Sequence, residues 1–323
     1  MIKPLRLGNH EFPINLIQGP LAGYSNAPFR LLTWQHSRPT FTCTEMISSK
    51  ALIHQPHLSK RYIQKNPGEG PVCFQLSGND PDELAQAAKM ATDAGADLID
   101  LNCGCPVKKI RRKGVGSSLL ANPIQLFKLI VALKSNTTVP VSIKIRVAGD
   151  SDEKFNAQIA KVVTDAGADF LIVHGRHWTE NYDIPCRYDE IKFFVENLKI
   201  PVIGNGDISC AVSLQKMFAT GCAGVMIARA GVGQPWLIKK LIAEVNQEKF
   251  HMPTYPEIGA IFLEHVENLI TFCGSERFAI IQARKLVKYY ARGLRTKVDL
   301  INASNKINSL NELKTLCSLH FVA

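Results

Sequence analysis

The 323-residue sequence predicts an α/β chain, a (β/α)8 TIM barrel followed by a C-terminal helical domain. Three observations carry that reading. Eight short apolar runs rich in β-branched residues alternate with longer helical patterns. The pentapeptide Asp93-Ala94-Gly95-Ala96-Asp97 returns 72 residues later as Asp165-Ala166-Gly167-Ala168-Asp169. Past Trp236 the alternation stops and amphipathic helical periodicity takes over.

The apolar runs are Asn15–Gly19, Phe41–Glu45, Val72–Leu76, Leu98–Asn102, Val141–Arg146, Phe170–His174, Val202–Asn205 and Gly224–Ala228. Runs that are apolar on both faces and separated by helices imply parallel strands covered on both sides. Helical stretches such as Asp80–Ala94 and Phe155–Ala166 fill the intervals. In each copy of the pentapeptide, glycine stops a helix in a left-handed position and a strand begins at once. Thr220-Gly221-Cys222-Ala223-Gly224 repeats the pattern more loosely. Eight such units in about 240 residues fit a closed barrel better than an open doubly wound sheet. The open sheet would want an early GxGxxG after a strand, and none is present. Residues 1–244 are therefore read as the barrel and 245–323 as the helical domain. Within the latter, Glu257–Phe272, Glu276–Arg292 and a weaker segment from Leu300 to Leu319 read as helices.

With 46% hydrophobic and 20% charged residues, the composition excludes a largely disordered chain. No apolar run approaches the roughly 18 residues that a membrane helix needs. The polar N-terminus, with Lys3, Arg6, Asn9, His10 and Glu11, has no signal-peptide pattern. Nine scattered cysteines without a CxxC pair are expected to be reduced thiols in a cytoplasmic protein. The net charge is +10, and much of the excess is clustered. Lys108, Lys109, Arg111, Arg112 and Lys113 fall within six residues. Ser275 to Lys297 holds seven basic side chains against the single acid Glu276. Each cluster alone reads equally as a solvated helix face; two together point to RNA or DNA phosphates.

In a barrel, functional groups belong at the C-terminal ends of the strands. Glu45, Gln75, Asn102, Lys144 with Arg146, His174, Asn205 with Asp207, and Arg229 all fall there. The densest group is Asp100-Leu101-Asn102-Cys103-Gly104-Cys105-Pro106, where Gly104 permits a turn that lifts Cys105 into the mouth. Zinc would want four ligands, and no second Cys or His pair has suitable spacing, so no metal is expected. A thiol with a pKa near about 8.5 is mostly protonated at neutral pH and serves as an acid as well as a nucleophile. Gly204-Asn205-Gly206-Asp207 and Ala228-Arg229 follow the last two strands, where such barrels frequently hold a phosphate.

Seven motifs in order resemble the tRNA-dihydrouridine synthases: GPLAGYSNAPFR (Gly19–Arg30), TEM (Thr44–Met46), DLNCGCP, KIR (Lys144–Arg146), VHGR (Val173–Arg176), GNGD and MIARAGVGQPW (Met226–Trp236). The EMISS stretch from Glu45, VKKIRRK from Val107 and the QPW segment look most like the bacterial B-type subgroup. The resemblance implies FMN as prosthetic group, NADPH as electron donor and a D-loop uridine of tRNA, at position 17 in B-type relatives, as substrate. It places Pro20, Leu21 and Ala22 against the isoalloxazine, Gln75 and Lys144 at the ring, and His174 beside it. It gives Asn205, Gly206, Asp207, Ala228 and Arg229 the phosphate end. Cys105 becomes the proton donor, with Asn102 and Arg146 on the substrate side. Leu21 stands where Met is more usual, and Ala228 where Gly is commoner. Arg277, Arg284, Lys288 and Arg295, spaced seven, four and seven, are expected on one helical face toward tRNA, together with the Lys108–Lys113 cluster. A monomer is expected. A flavin barrel reducing a small molecule explains the flavin residues but not the basic tail.

Overall fold

The computed structural model describes residues 1–148 and 152–322. Its first strands, β1 (Leu5–Leu7) and β2 (His10–Phe12), form an antiparallel hairpin. There follow β3 (Leu16–Gln18), β4 (Thr42–Cys43), β5 (Ile47–Ser48), β6 (Val72–Ser77), β7 (Leu98–Cys103), β8 (Val141–Arg146), β9 (Phe170–His174), β10 (Val202–Asn205) and β11 (Gly224–Ile227). Pairing is parallel from β3 to β4, from β4 to β6, and onward in order to β11. The last strand, β11, pairs back onto β3, so eight strands close into a ring with β5 an added edge on β6. The eight runs read from the sequence are these eight strands. Every residue of β6 and β7 is buried, as strands covered on both faces must be.

The helices around the ring are α1 (Ala27–Ser37), α2 (Ser49–His54), α3 (Pro56–Ser59), α4 (Pro81–Asp93), α5 (Lys108–Arg111), α6 (Pro123–Lys134), α7 (Glu153–Asp165), α8 (Tyr188–Asn197), α9 (Ala211–Phe218) and α10 (Leu237–Val245). The repeated pentapeptide does two jobs. Its glycines, Gly95 and Gly167, take φ of +88° and +76° and end α4 and α7. Its final aspartates then tie the sheet together: Asp97 accepts from the backbone N–H of Val72 at 2.7 Å and Asp169 from that of Val141 at 2.7 Å. Each also holds a lysine, Lys65 and Lys134 respectively. The hairpin plugs the floor, where Leu5, Leu7 and Phe12 meet Ile17, Phe41, Phe170 and Met226 inside the ring.

Four helices follow: α11 (Tyr255–Cys273), α12 (Glu276–Tyr290), α13 (Lys297–Ser304) and α14 (Leu310–His320). They share an apolar cluster that also takes in Phe29, Val232 and Trp236 from the barrel's mouth. Two sequence expectations need correction here. The segment from Leu300 to Leu319 is two helices, because Ser309 starts a fresh one by accepting from the N–H of Glu312. And α12 ends at Tyr290, with Gly293 at φ +82° turning the chain, so Arg295 lies in the turn before α13 and off the face that carries Arg277, Arg284 and Lys288.

Candidate active site

Strands β6, β7 and β8 are joined inside the ring by a hydrogen-bond chain. Ser142 Oγ and Gln75 Nε2 both donate to Asp100, each at 2.7 Å, so that carboxyl orients the glutamine amide. Gln75 Oε1 in turn accepts from Asn102 Nδ2 at 2.8 Å. That fixes Asn102 with its oxygen toward the loop, where it accepts from the backbone N–H of Cys105 at 3.0 Å and of Gly104 at 3.3 Å. Cys105 is thereby held at the mouth, partly exposed, while Cys103 is wholly buried and its thiol is pushed well up by desolvation. Burial raises Asp100 to about 7, opposed by the bonds from Ser142 and Gln75 and by the Lys144 cation.

Lys144, at the end of β8, donates to Asn205 Oδ1 at 2.9 Å, and Asn205 is itself anchored to the carbonyl of Met226 at 2.8 Å. Burial lowers the lysine to about 8, with Asp100 pulling the other way. His174 faces the same cavity. Burial first, then the cations Lys144, Arg146, Arg176 and Arg229, hold it well below its ordinary value, so it is neutral. Its Nδ1 is buried with no partner in the protein.

A cavity of about 580 Å³ opens here, walled by His174, Asn205, Gly206, Asp207, Ala228 and Arg229, with Tyr289 and Arg292 of the tail opposite. Asp207, in left-handed backbone at φ +55°, accepts from the buried Arg176 at 2.6 Å and from the N–H of Cys186 at 3.0 Å. Arg229 lies 3.6 Å from Asp207 and stacks 3.6 Å above the Tyr182 ring, with nearly half its side chain exposed. The Pro20–Leu21–Ala22 turn sits at the end of β3, tied by Ser25, whose Oγ accepts from the N–H of Leu21 at 2.9 Å.

The basic residues divide by role. Lys108, Lys109, Arg112 and Lys113 are exposed around α5, on the loop that leaves Cys105. Arg111 lies flat on Trp178, 3.2 Å from the ring centre. Arg146 ties two mouth loops, donating to the carbonyls of Gly104 and His177, each at 3.0 Å. Arg277, Lys288 and Arg295 are exposed, whereas Arg284 donates to the carbonyl of Ile307 at 2.7 Å inside the tail.

Sequence reasoning missed several groups that the structure brings to this mouth. Asp100 and Ser142 sit inside the ring, where only pairing register reveals them as partners of Gln75. Trp178 and Tyr182, in the loop after β9, are stacking surfaces for Arg111 and Arg229; the partners are far apart in sequence, so no local signal pairs them. Lys285, Tyr289 and Arg292 belong to the tail but reach the barrel. Arg292 donates to the carbonyl of Ala230 at 3.2 Å. Among the described residues no helix is long and apolar enough to cross a membrane, and no cluster of His, Cys, Asp and Glu is arranged to hold a metal ion. All nine cysteines are free thiols.

The family model for dihydrouridine synthase (Dus) matches residues 17–322. A tRNA-dihydrouridine synthase B of Pasteurella multocida is 32% identical over 310 residues, 95% of this chain and 93% of its own. A probable tRNA-dihydrouridine synthase 1 of Synechocystis is 33% identical over 316 residues, covering 97% and 88%. Among solved structures, morphinone reductase superposes with a TM-score of 0.55 at 13% identity over 79% of this chain and 91% of its own, a likeness of fold. With the family model spanning nearly the whole chain and B-type relatives about a third identical over most of its length, the chain belongs to the dihydrouridine synthase family, in its B-type tRNA branch, and is an oxidoreductase.

Proposed function

We propose that this protein is an FMN-dependent tRNA-dihydrouridine synthase that reduces the C5–C6 double bond of a D-loop uridine, at position 17, with NADPH as electron donor and Cys105 as proton donor. The observation that carries the reading is the continuous chain from Asp100 through Gln75 and Asn102 to the backbone of Cys105. It supports the reading by fixing the backbone of a partly exposed thiol at the end of β7 through the polar groups of the neighbouring strand. The residues fit a phosphorylated, acceptor-rich ring. His174 Nδ1 and Arg176 Nη1 are buried without partners, and Arg229, Ala228 and Gly206 form a concave rim. Pro20, Leu21 and Ala22, with Gln75 and Lys144, would hold the ring, and Asn205 to Asp207 with Ala228 and Arg229 the phosphate.

When bound, FMN supplies the hydride to C6 of the uracil. Negative charge then accumulates on the C5–C4=O enolate, and Cys105 Sγ gives C5 its proton as a general acid. Asn102 keeps that thiol's backbone fixed. With FMN bound, the Lys144 ammonium, held by Asn205, would stabilise negative charge on the reduced ring, a role worth about 3–4 kcal/mol where such donors have been removed. Neutral His174 lines the site without adding a further cation. The target base must leave its stack to reach this depth, which favours a basic surround. Lys108, Lys109, Arg112 and Lys113 supply it at the mouth, and residues 245–323 extend it through Arg277, Lys288 and Arg295. Since the constellation is complete within one chain, a monomer suffices.

The test is spectroscopic. A yellow protein bleached anaerobically by NADPH and reoxidised by unmodified tRNA is expected, with Cys105→Ala bleached normally but reoxidised poorly. A flavoprotein indifferent to tRNA would mean a small-molecule reductase. A colourless protein that cannot be reconstituted with FMN would overturn the catalytic assignment.

A further inference from the structure

We propose that Lys285 is a positioning residue: from the helical tail it clamps the Pro20–Tyr24 turn of the barrel, and so sets the reactivity of the flavin site rather than the affinity for tRNA. The proposal rests on the function proposed above. Lys285 and Tyr289 are four residues apart on α12, hence on one face, and that face looks into the barrel's mouth. The Lys285 ammonium donates to the carbonyl of Gly23 and, at 2.6 Å, to Gln282 Oε1. It stands 5.1 Å from the centre of the Tyr24 ring. Tyr289 meets the same ring edge-on at 5.6 Å. The backbone N–H of Gly23 donates to Glu45, just past β4.

Both backbone groups of Gly23 are thus held, its N–H by a barrel carboxylate and its C=O by a tail ammonium, and the two charges line one cavity beside it. Gly23 takes φ +78°, which glycine adopts freely, in a turn closed on itself by the N–H groups of Tyr24 and Ser25 on Leu21 O, each at 2.9 Å; the two Gly23 bonds tie that closed turn to Glu45 and to α12. The preceding residues, Pro20 to Ala22, are those assigned to the ring of the cofactor. Lys285 is half-buried and desolvated, with Glu45 opposing the fall in its pKa. Two of its three donors are spent inside the protein. Arg277 and Lys288, by contrast, are exposed on α12.

The experiment uses the FMN-loaded full chain as Lys285→Met, Lys285→Arg, Glu45→Gln and the Met/Gln double variant. Four quantities are read: the flavin absorption band, the rate of bleaching by NADPH, the dissociation constant for unmodified tRNA, and the reoxidation rate at saturating tRNA. Lys285→Met is expected to bind tRNA within about threefold of the parent, shift the flavin band, and lose at least about tenfold in saturated reoxidation, as misplaced groups do. Lys285→Arg should recover most of that loss, and the double variant should be no slower than Lys285→Met, because both changes release one turn. A Lys285→Met protein whose tRNA affinity falls about tenfold while its saturated rate and flavin band stay unchanged would make Lys285 a phosphate contact and overturn the proposal. If the parent itself is not reoxidised by tRNA, the functional reading fails. The clamp is then judged on the flavin band and the NADPH rate, and unchanged values in both would overturn it too. Should the methionine variant lose FMN, Glu45→Gln with Lys285→Arg decides by the same readouts.

Discussion

Replacing Gly116 by alanine should cripple the step that uses Cys105 and spare the one that does not. Gly116 sits at φ +68°, and a Cβ built there falls 2.8 Å from the carbonyl oxygen of Cys105 and 3.1 Å from its Cβ. The same carbonyl accepts from the N–H of Ser117 at 3.1 Å, so it has little room to retreat. A side chain in left-handed backbone costs about 1–2 kcal/mol. Relieving the overlap adds about 1–3 kcal/mol and moves the Cys105 loop by a few tenths of an ångström. Gly95 is the matched control, with φ +88° and nothing within 4 Å of its Cβ, so Gly95→Ala carries the backbone cost alone. If a displacement of 1 Å costs about a hundredfold, the smaller shift at Cys105 should cost about tenfold. The assay is stopped-flow reoxidation of the NADPH-bleached enzyme by unmodified tRNA, run beside the bleaching step itself. Gly116→Ala should bleach at the parent rate and reoxidise about ten times more slowly than Gly95→Ala. Equal reoxidation in the two variants would refute the claim that this glycine sets the thiol's place.

Three further outcomes follow from the same geometry. Lys144 ionises at about 8, and its charge is lost as pH rises through that value. Bleaching by NADPH should therefore slow between pH 7 and 9, and Lys144→Met should be about a hundredfold slower and flat with pH; a flat parent profile would remove Lys144 from this role. Arg277→Glu with Lys288→Glu should weaken tRNA binding and lower the salt slope by about one for each residue, with bleaching by NADPH unchanged. An unaltered dissociation constant would take the outer face of α12 out of the tRNA contact. Arg284→Ala removes a guanidinium bond to Ile307 O, and thermal unfolding should show a loss of about 1.5–3 kcal/mol, against little change for Arg277→Ala.

The barrel was legible because its signal is a burial pattern. A strand covered on both faces reads as a nearly continuous apolar run, and β6 to β11 lie within a residue or two of the expected limits, broken mainly by the polar groups that face into the ring. The strands that escaped, β1, β2 and β5, are two or three residues long, too short for any period to register. The hairpin was still implied in principle, since an eight-stranded ring needs apolar side chains to close its floor, and Leu5, Leu7 and Phe12 were there to do it. The repeated pentapeptide was read for its glycine. Its final aspartate, which anchors the first N–H of the preceding strand, depends on a partner about 25 residues back in sequence and is visible only with the strands paired.

At the site, a residue was legible when strand position alone decides its direction. Gln75, Asn102, Lys144, His174 and Asn205 sit at strand ends on the inward side, and there the period of two gives the answer. The tail offers no such rule. On α12 the spacing of Arg277, Arg284 and Lys288 defines a face, and so does the spacing of Lys285 and Tyr289, with both carrying positive charge. Helical geometry ranks them equally; only docking against the barrel separates them. The apolar side chains Ala279, Ile280, Ala283, Leu286, Val287 and Tyr290 are buried within the tail's cluster, and that seating turns Lys285 inward onto Gly23 and leaves Arg277 and Lys288 in solvent. Arg284, on the outer side by spacing, is drawn off by the chain break before α14, whose carbonyl at Ile307 needs a donor. A basic stripe in a sequence is therefore a sum over faces: in this chain one part of it is exposed and available to a polyanion, and another part is spent on the backbone of the turn after β3.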